Sequence, residues 1–118
     1  MPYEVIPKDD YVLVRHFGNL TMDEIEAARP QVLDAVKVYS VWKVVVDVTE
    51  ATNVFEPADT RQIALDNADV SPPRPTAAVV GRPDQLGHLS LMESLSVSRG
   101  LPIKTFTDMQ SALDWLAE

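Results

Sequence analysis

Polar and apolar positions along the chain fall into short β-type runs separated by stretches of helical spacing. Residues 3–6 and 11–17 are rich in β-branched and aromatic side chains and are split by the turn cluster Pro7-Lys8-Asp9-Asp10, which predicts an antiparallel hairpin. Gly18-Asn19-Leu20 leaves the second strand. Thr21-Met22-Asp23-Glu24 then has the form of a capping box, with Thr21 accepting from the third helical amide and Glu24 reaching back. Ile25, Ala28, Val32 and Val36 follow at spacings of three and four and give this helix one buried face. Pro30 lies inside the pattern and predicts a kink, or a first turn that ends and restarts.

The run Trp42-Lys43-Val44-Val45-Val46-Asp47-Val48 is nearly continuous and β-branched, as a strand buried on both faces requires. A polar segment carries the chain from Thr49 to Glu56-Pro57, where proline opens a helix of about residues 57–68 at the one turn that does not need its amide. Arg61, Ala64, Leu65 and Ala68 share one face of that helix, with Ile63 more oblique. Ser71-Pro72-Pro73-Arg74-Pro75 is a stiff, extended connector. A third buried strand covers residues 76–80 and ends in Gly81-Arg82-Pro83-Asp84. A helix from Gln85 to about Ser98 offers Leu86, Leu89, Met92 or Glu93, and Leu91 with Leu95 as inner positions, and Arg99-Gly100 closes it. A last strand covers 101–106. The final helix opens on a second capping-box pattern, Thr107-Asp108-Met109-Gln110, and buries Met109, Ala112, Leu113 and Leu116.

The order is β-β-α-β-α-β-α-β-α. Strands alternating with single helices imply right-handed crossovers, so the expected architecture is α/β, a mixed, mainly parallel five-stranded sheet with four helices and one antiparallel edge. At 118 residues this is one domain spanning 1–118.

Charge and composition narrow the function. A formal net charge of −8 and a pI near 4.6 argue against nucleic-acid binding, which needs a basic footprint, and against docking on anionic lipid through charge. No apolar stretch approaches the roughly 20 residues of a membrane span, so membrane insertion is not expected. There is no cysteine, so thiolate chemistry and disulfides are excluded. Met1-Pro2-Tyr3-Glu4-Val5 lacks the basic and apolar segments of a secretory signal, and a cytoplasmic location is the expectation. No cofactor or metal is expected, because His16 and His88 stand alone without ligand spacing.

The landmarks resemble the STAS superfamily, and within it the SpoIIAA-like (STAS/SEC14-like) bacterial proteins, along nearly the whole chain. They are Gly18 with Leu20-Thr21, Val45-Val46-Asp47-Val48-Thr49, Ala77-x-Val79-Val80, and the closing Phe106-x-Asp108-x-x-x-Ala112-x-x-Trp115-Leu116, the most specific of them. The resemblance implies a five-strand, four-helix domain that works by binding, without chemistry of its own. In the phospho-switched anti-sigma-factor antagonists of the superfamily, an Asp-Ser pair opens the helix after the central strand. That position falls near Phe55-Glu56, which holds no serine. Glu56 could supply a fixed negative charge at the helix start.

Three functions stay open. The first is a protein-interaction module whose surface is residues 49–61, with Asp47, Thr49, Asn53, Val54, Phe55, Glu56, Arg61 and Arg82 as binding residues. Asp47 is read as an acceptor for loop amides that fixes the turn after Thr49. Val54-Phe55 is read either as a hydrophobic staple or as an apolar knob covered by a partner protein or second subunit. Arg82, leading into a helix, is read as an anion contact or as part of a plain turn. A phospho-accepting receiver is disfavoured, since Asp9-Asp10 precedes its strand and lies at the wrong end of the sheet. The second function is binding of a small apolar or lipid-like ligand in a cavity lined by Leu86, Leu89 and Met92. The third is a small enzyme, which requires His16 or His88 to meet a carboxylate and a hydroxyl. The exposed hairpin edge also makes a homodimer an expectation.

Overall fold

The computed structural model describes residues 3–52, 56–70 and 73–118. Its elements follow the expected order: β1 Tyr3–Pro7, β2 Val12–Gly18, α1 Met22–Tyr39, β3 Lys43–Ala51, α2 Pro57–Ala68, β4 Thr76–Val80, a 3-10 turn at Pro83–Gln85, α3 Leu86–Val97, β5 Ile103–Phe106 and α4 Met109–Leu116. The five strands form one sheet in the order β1-β2-β3-β4-β5. β1 pairs with β2 antiparallel, and every other pair is parallel. The hairpin thus contributes one antiparallel edge, β1, as expected, and β2 is an interior strand.

Strand alternation divides the core into two layers. Leu13, Val45, Ala78 and Val80 face α4, where they pack with Ala112 and Leu116. Phe106 and Trp115 seal the β5 side of this layer, their rings 5.8 Å apart and tilted by 48°. The closing sequence pattern is therefore a packing device, with Trp115 folded onto the sheet edge. Asp108 is the N-cap of α4, accepting from the Ser111 amide at 2.8 Å. The expected cap, Thr107, is displaced by one residue because a carboxylate also answers the helix dipole.

The opposite face carries α1, α2 and α3. α1 covers β1 and β2 through the predicted Ile25, Ala28, Val32 and Val36, and runs unbroken through Pro30. Pro30 and Glu26 are both exposed, so water can meet the Glu26 carbonyl that loses its amide partner. α3 packs beside β5. α2 leans chiefly on α3 and only lightly on α1. Its buried residues are Thr60, Ile63 and Ala64, one position round from the expected face, and Arg61 points to solvent. With Ile63 as the only large apolar group among them, α2 cannot fill the space over the centre of the sheet.

Candidate functional site

Two regions of the fold carry polar groups in unusual places. The first is the C-terminal end of β3. β2 and β3 pair regularly up to Arg15 opposite Asp47 and then slip, so that Phe17 lies opposite Glu50. The extra residue bulges β3 at Val48-Thr49. Asp47 stabilises the bulge by accepting from the Thr49 amide at 2.9 Å and the Thr49 hydroxyl at 2.7 Å. Its second oxygen lies 3.6 Å from Arg15 Nε. Arg15 in turn lies over the Phe17 ring, 5.4 Å from the centroid. Asp47 thus does hold a backbone amide as expected, but that amide belongs to the strand itself.

β3 extends past the end of β4, since their pairing stops at Asp47 opposite Val80. The carbonyls beyond that point are met by side chains. Gln85 Nε2 donates to Val48 O at 2.9 Å, and its Oε1 accepts from the Arg82 amide at 2.7 Å. Arg82 Nη1 donates to Thr49 O and to Ala51 O, while its Nε donates to Asp84 at 3.0 Å. The Arg82 guanidinium holds the exposed Asp84 carboxyl below the usual carboxylate range. Gly81 lets these side chains come close: a Cβ there would meet Leu89 Cδ1 at 2.4 Å and Gln85 Oε1 at 3.0 Å, so the leucine would have to shift.

Of the residues expected at a binding surface, Asp47, Thr49 and Arg82 meet in this one cluster. Glu56 is the exposed N-cap of α2, without a side-chain bond to the helix. Arg61 is exposed one turn further on. Asn53, Val54 and Phe55 lie outside the described residues.

The second region is a cavity of about 250 Å³ between the β3–β4 face of the sheet and the three helices. The sheet contributes Val46, Val79 and Ile103, and α3 contributes Leu89 and Met92. Leu86 and Leu91, expected to point inward, are exposed by 39% and 36%. The cavity explains an asymmetry between adjacent residues of the central strands. Val45 and Ala78 on the α4 side are fully buried, whereas Val46 and Ala77 on the cavity side are only half-buried.

Polar groups line this cavity at both ends. Towards the C-terminal edge of the sheet are Thr60, Gln85, His88 and His16. His16 is 3% exposed, and its Nδ1 bonds Glu24 Oε2 at 2.6 Å. The Glu24 side chain is 5% exposed. Thr21 caps α1 as expected, accepting from the Glu24 amide at 3.2 Å. The Glu24 carboxylate does not complete the box; it turns inward to the histidine. Among the described residues no hydroxyl is bonded to either histidine, and no three histidine or carboxylate side chains are grouped to hold a metal. Towards the other end lie Arg29, Asn67 and Arg74, none of which stands out in the sequence. No helix among the described residues is long and apolar enough to cross a membrane.

No family model matches the chain, and no curated protein does. Solved structures do. An anti-sigma factor antagonist from Mycobacterium paratuberculosis is similar with a TM-score of 0.64 at 16% identity, over 98% of this chain and 93% of the other. An uncharacterized protein with a SpoIIAA-like fold from Shewanella loihica gives 0.58 at 20% identity, over 97% and 91%. A substituted RsbS from Moorella thermoacetica gives 0.58 at 17% identity, over 99% and 96%. The chain therefore has a SpoIIAA-like fold, as its landmarks implied.

Proposed function

We propose that the chain is a non-catalytic regulatory module that recognises a protein partner through residues 49–61 and the adjoining Asp47 and Arg82. The observation that carries this reading is the fold, shared over almost its full length with an anti-sigma factor antagonist. The bonded end of β3 supports it as well. Asp47, Arg82 and Gln85 hold the backbone from which the segment departs, and a fixed platform lowers the cost of ordering on binding. Cross-linking of a tagged chain in its own cells, read by mass spectrometry, tests the proposal. Partner cross-links should concentrate at residues 49–61 and weaken with Phe55→Ala at an unchanged melting temperature. Capture indifferent to Phe55→Ala, with cross-links elsewhere, would refute it. Self-association through the β1 edge belongs to the same reading, and light scattering giving only the single-chain mass of 13.1 kDa would remove it.

A second reading rests on the cavity: the chain binds a small apolar or lipid-like ligand. Space of about 250 Å³ lined mainly by Val, Leu, Ile and Met is the kind of site that takes such molecules. Native mass spectrometry of the purified protein should show adducts. A bare chain mass under all conditions, with no fatty ligand raising the melting temperature, sinks this reading.

A further inference from the structure

We infer that the cavity takes a single-chain organic carboxylate, with its head on Arg29 and Arg74 and its tail along the sheet. The inference rests on the apolar-ligand reading and adds the chemistry of the head group.

Arg29 and Arg74 both line the cavity and both reach the end of α2. Arg29 Nε donates to Asn67 Oδ1 at 2.8 Å, while Arg74 Nε donates to Val70 O at 2.7 Å and its Nη2 to Ala68 O at 3.2 Å. Among the described residues the arginine–carboxylate pairs are Arg15–Asp47 and Arg82–Asp84, so neither cavity arginine has a carboxylate partner. Arg61 and Arg99 also lack a carboxylate partner among the described residues, but Arg29 and Arg74 are the two that line the cavity. Arg29 Nη2 is also sealed from solvent without an acceptor. A buried donor left unmade is costly, so the Arg29 guanidinium gains from a rotation that turns Nη2 to an anion in the cavity.

The remainder of the lining sets the tail. Between the arginines and the polar far end of Thr60, Gln85, His16 and His88, the stretch of Val46, Val79, Leu89, Met92 and Ile103 offers no bonding group to a ligand. If each chain carbon takes the ~30 Å³ of a water, 250 Å³ holds roughly eight of them. The head is a carboxylate for two reasons. Its planar pair of oxygens matches a guanidinium edge. A singly charged head also meets less overall repulsion than a doubly charged phosphate in a chain of net charge −8.

Calorimetric titration of the full chain with octanoate, octanol and octyl phosphate tests the inference, using wild type, Arg29→Gln and Arg74→Gln. Octanoate should bind about ten- to a hundredfold more tightly than octanol, the range of one charged hydrogen bond. Each substitution should erase most of that preference and leave octanol unchanged. From hexanoate to octanoate, affinity should rise about fourfold per methylene. Equal binding of octanoate and octanol, indifferent to both substitutions, overturns the carboxylate head while leaving the apolar-ligand reading intact. Tighter binding of octyl phosphate overturns it in favour of a phosphate. No binding of any of the three removes both the inference and the reading beneath it. Circular dichroism checks that each variant is folded. If Arg29→Gln is not, Arg74→Gln decides together with added salt, which should weaken wild-type octanoate binding and spare octanol.

Discussion

Replacing Glu24 by alanine removes a carboxylate whose loss the fold cannot absorb at the surface. The bond to His16 Nδ1 is 2.6 Å long, and the two side chains are 5% and 3% exposed. Truncation leaves the imidazole N–H beside the Tyr3 ring, 6.0 Å away between centroids, with no other acceptor bonded to it among the described residues. A hydrogen bond to a charged group contributes roughly 1.5–3 kcal/mol, and one partner lost from a buried pair costs about 3–5 kcal/mol. The acid also sits in the first turn of α1, where the helix dipole adds about 0.3–1 kcal/mol. Glu24→Ala should therefore cost about 2–4 kcal/mol, lowering Tm by roughly 10 °C for a domain of this size. Glu26→Ala, in the same region of the helix but exposed, should stay within about 0.5 kcal/mol. The double change His16→Phe with Glu24→Leu should recover much of the loss, because an apolar pair needs no desolvated partner. Urea unfolding followed by circular dichroism measures all four proteins. Equal stability of the Glu24→Ala and Glu26→Ala proteins would refute the buried pair.

The two faces of the sheet should respond oppositely to the same substitution. Ala77→Leu grows into the cavity and should be neutral or stabilising by about 1 kcal/mol, whereas Ala78→Leu overpacks the α4 layer and should cost about 1–3 kcal/mol; matching urea midpoints would contradict the asymmetry. Gln85→Leu strands Val48 O and the Arg82 amide and should cost about 1–3 kcal/mol, read as a lower denaturant midpoint. The Ser111 amide and hydroxyl hold the Asp108 carboxyl below the ordinary carboxylate range, so its stabilising effect is complete above an unfolded value of about 3.9 and is lost as pH falls through the lower folded one. Asp108→Asn should accordingly be less stable than wild type near neutral pH, with the gap closing in the most acidic range. A gap that widens on acidification would show the wrong sign.

The order of elements was legible because the hydrophobic spacing changes cleanly from two to three-and-four wherever strand gives way to helix. The α4 layer was legible for the same reason: Ala112 and Leu116 repeat at helical spacing over Ala78 and Val80 at strand spacing. The His16–Glu24 pair was hidden by a local explanation that fitted too well. Glu24 stands three residues after Thr21, as a capping box requires, and only the interior position of β2 turns it towards the histidine. Strand alternation did contain a signal, since Val12, Val14 and His16 fall on one face. α2 misled because its inner face, Thr60, Ile63, Ala64 and Asn67, carries fewer apolar residues than Arg61, Ala64, Leu65 and Ala68. In α3, leucines on several faces leave no pattern by which to tell Leu89 from Leu91. The cavity was unreadable as such, being a consequence of what α2 lacks. Arg29, Asn67 and Arg74 meet only through the tertiary fold.

The claim that the face of the sheet beneath α1, α2 and α3 holds a ligand is tested most directly by methyl NMR of the protein titrated with octanoate. Val46, Val79, Leu89, Met92 and Ile103 line the cavity, and Leu13, Val45 and Leu116 lie in the sealed layer opposite. Saturable shifts confined to the first group are predicted, with the second group unmoved. Shifts spread evenly over both layers, or confined to the α4 side, would contradict the account.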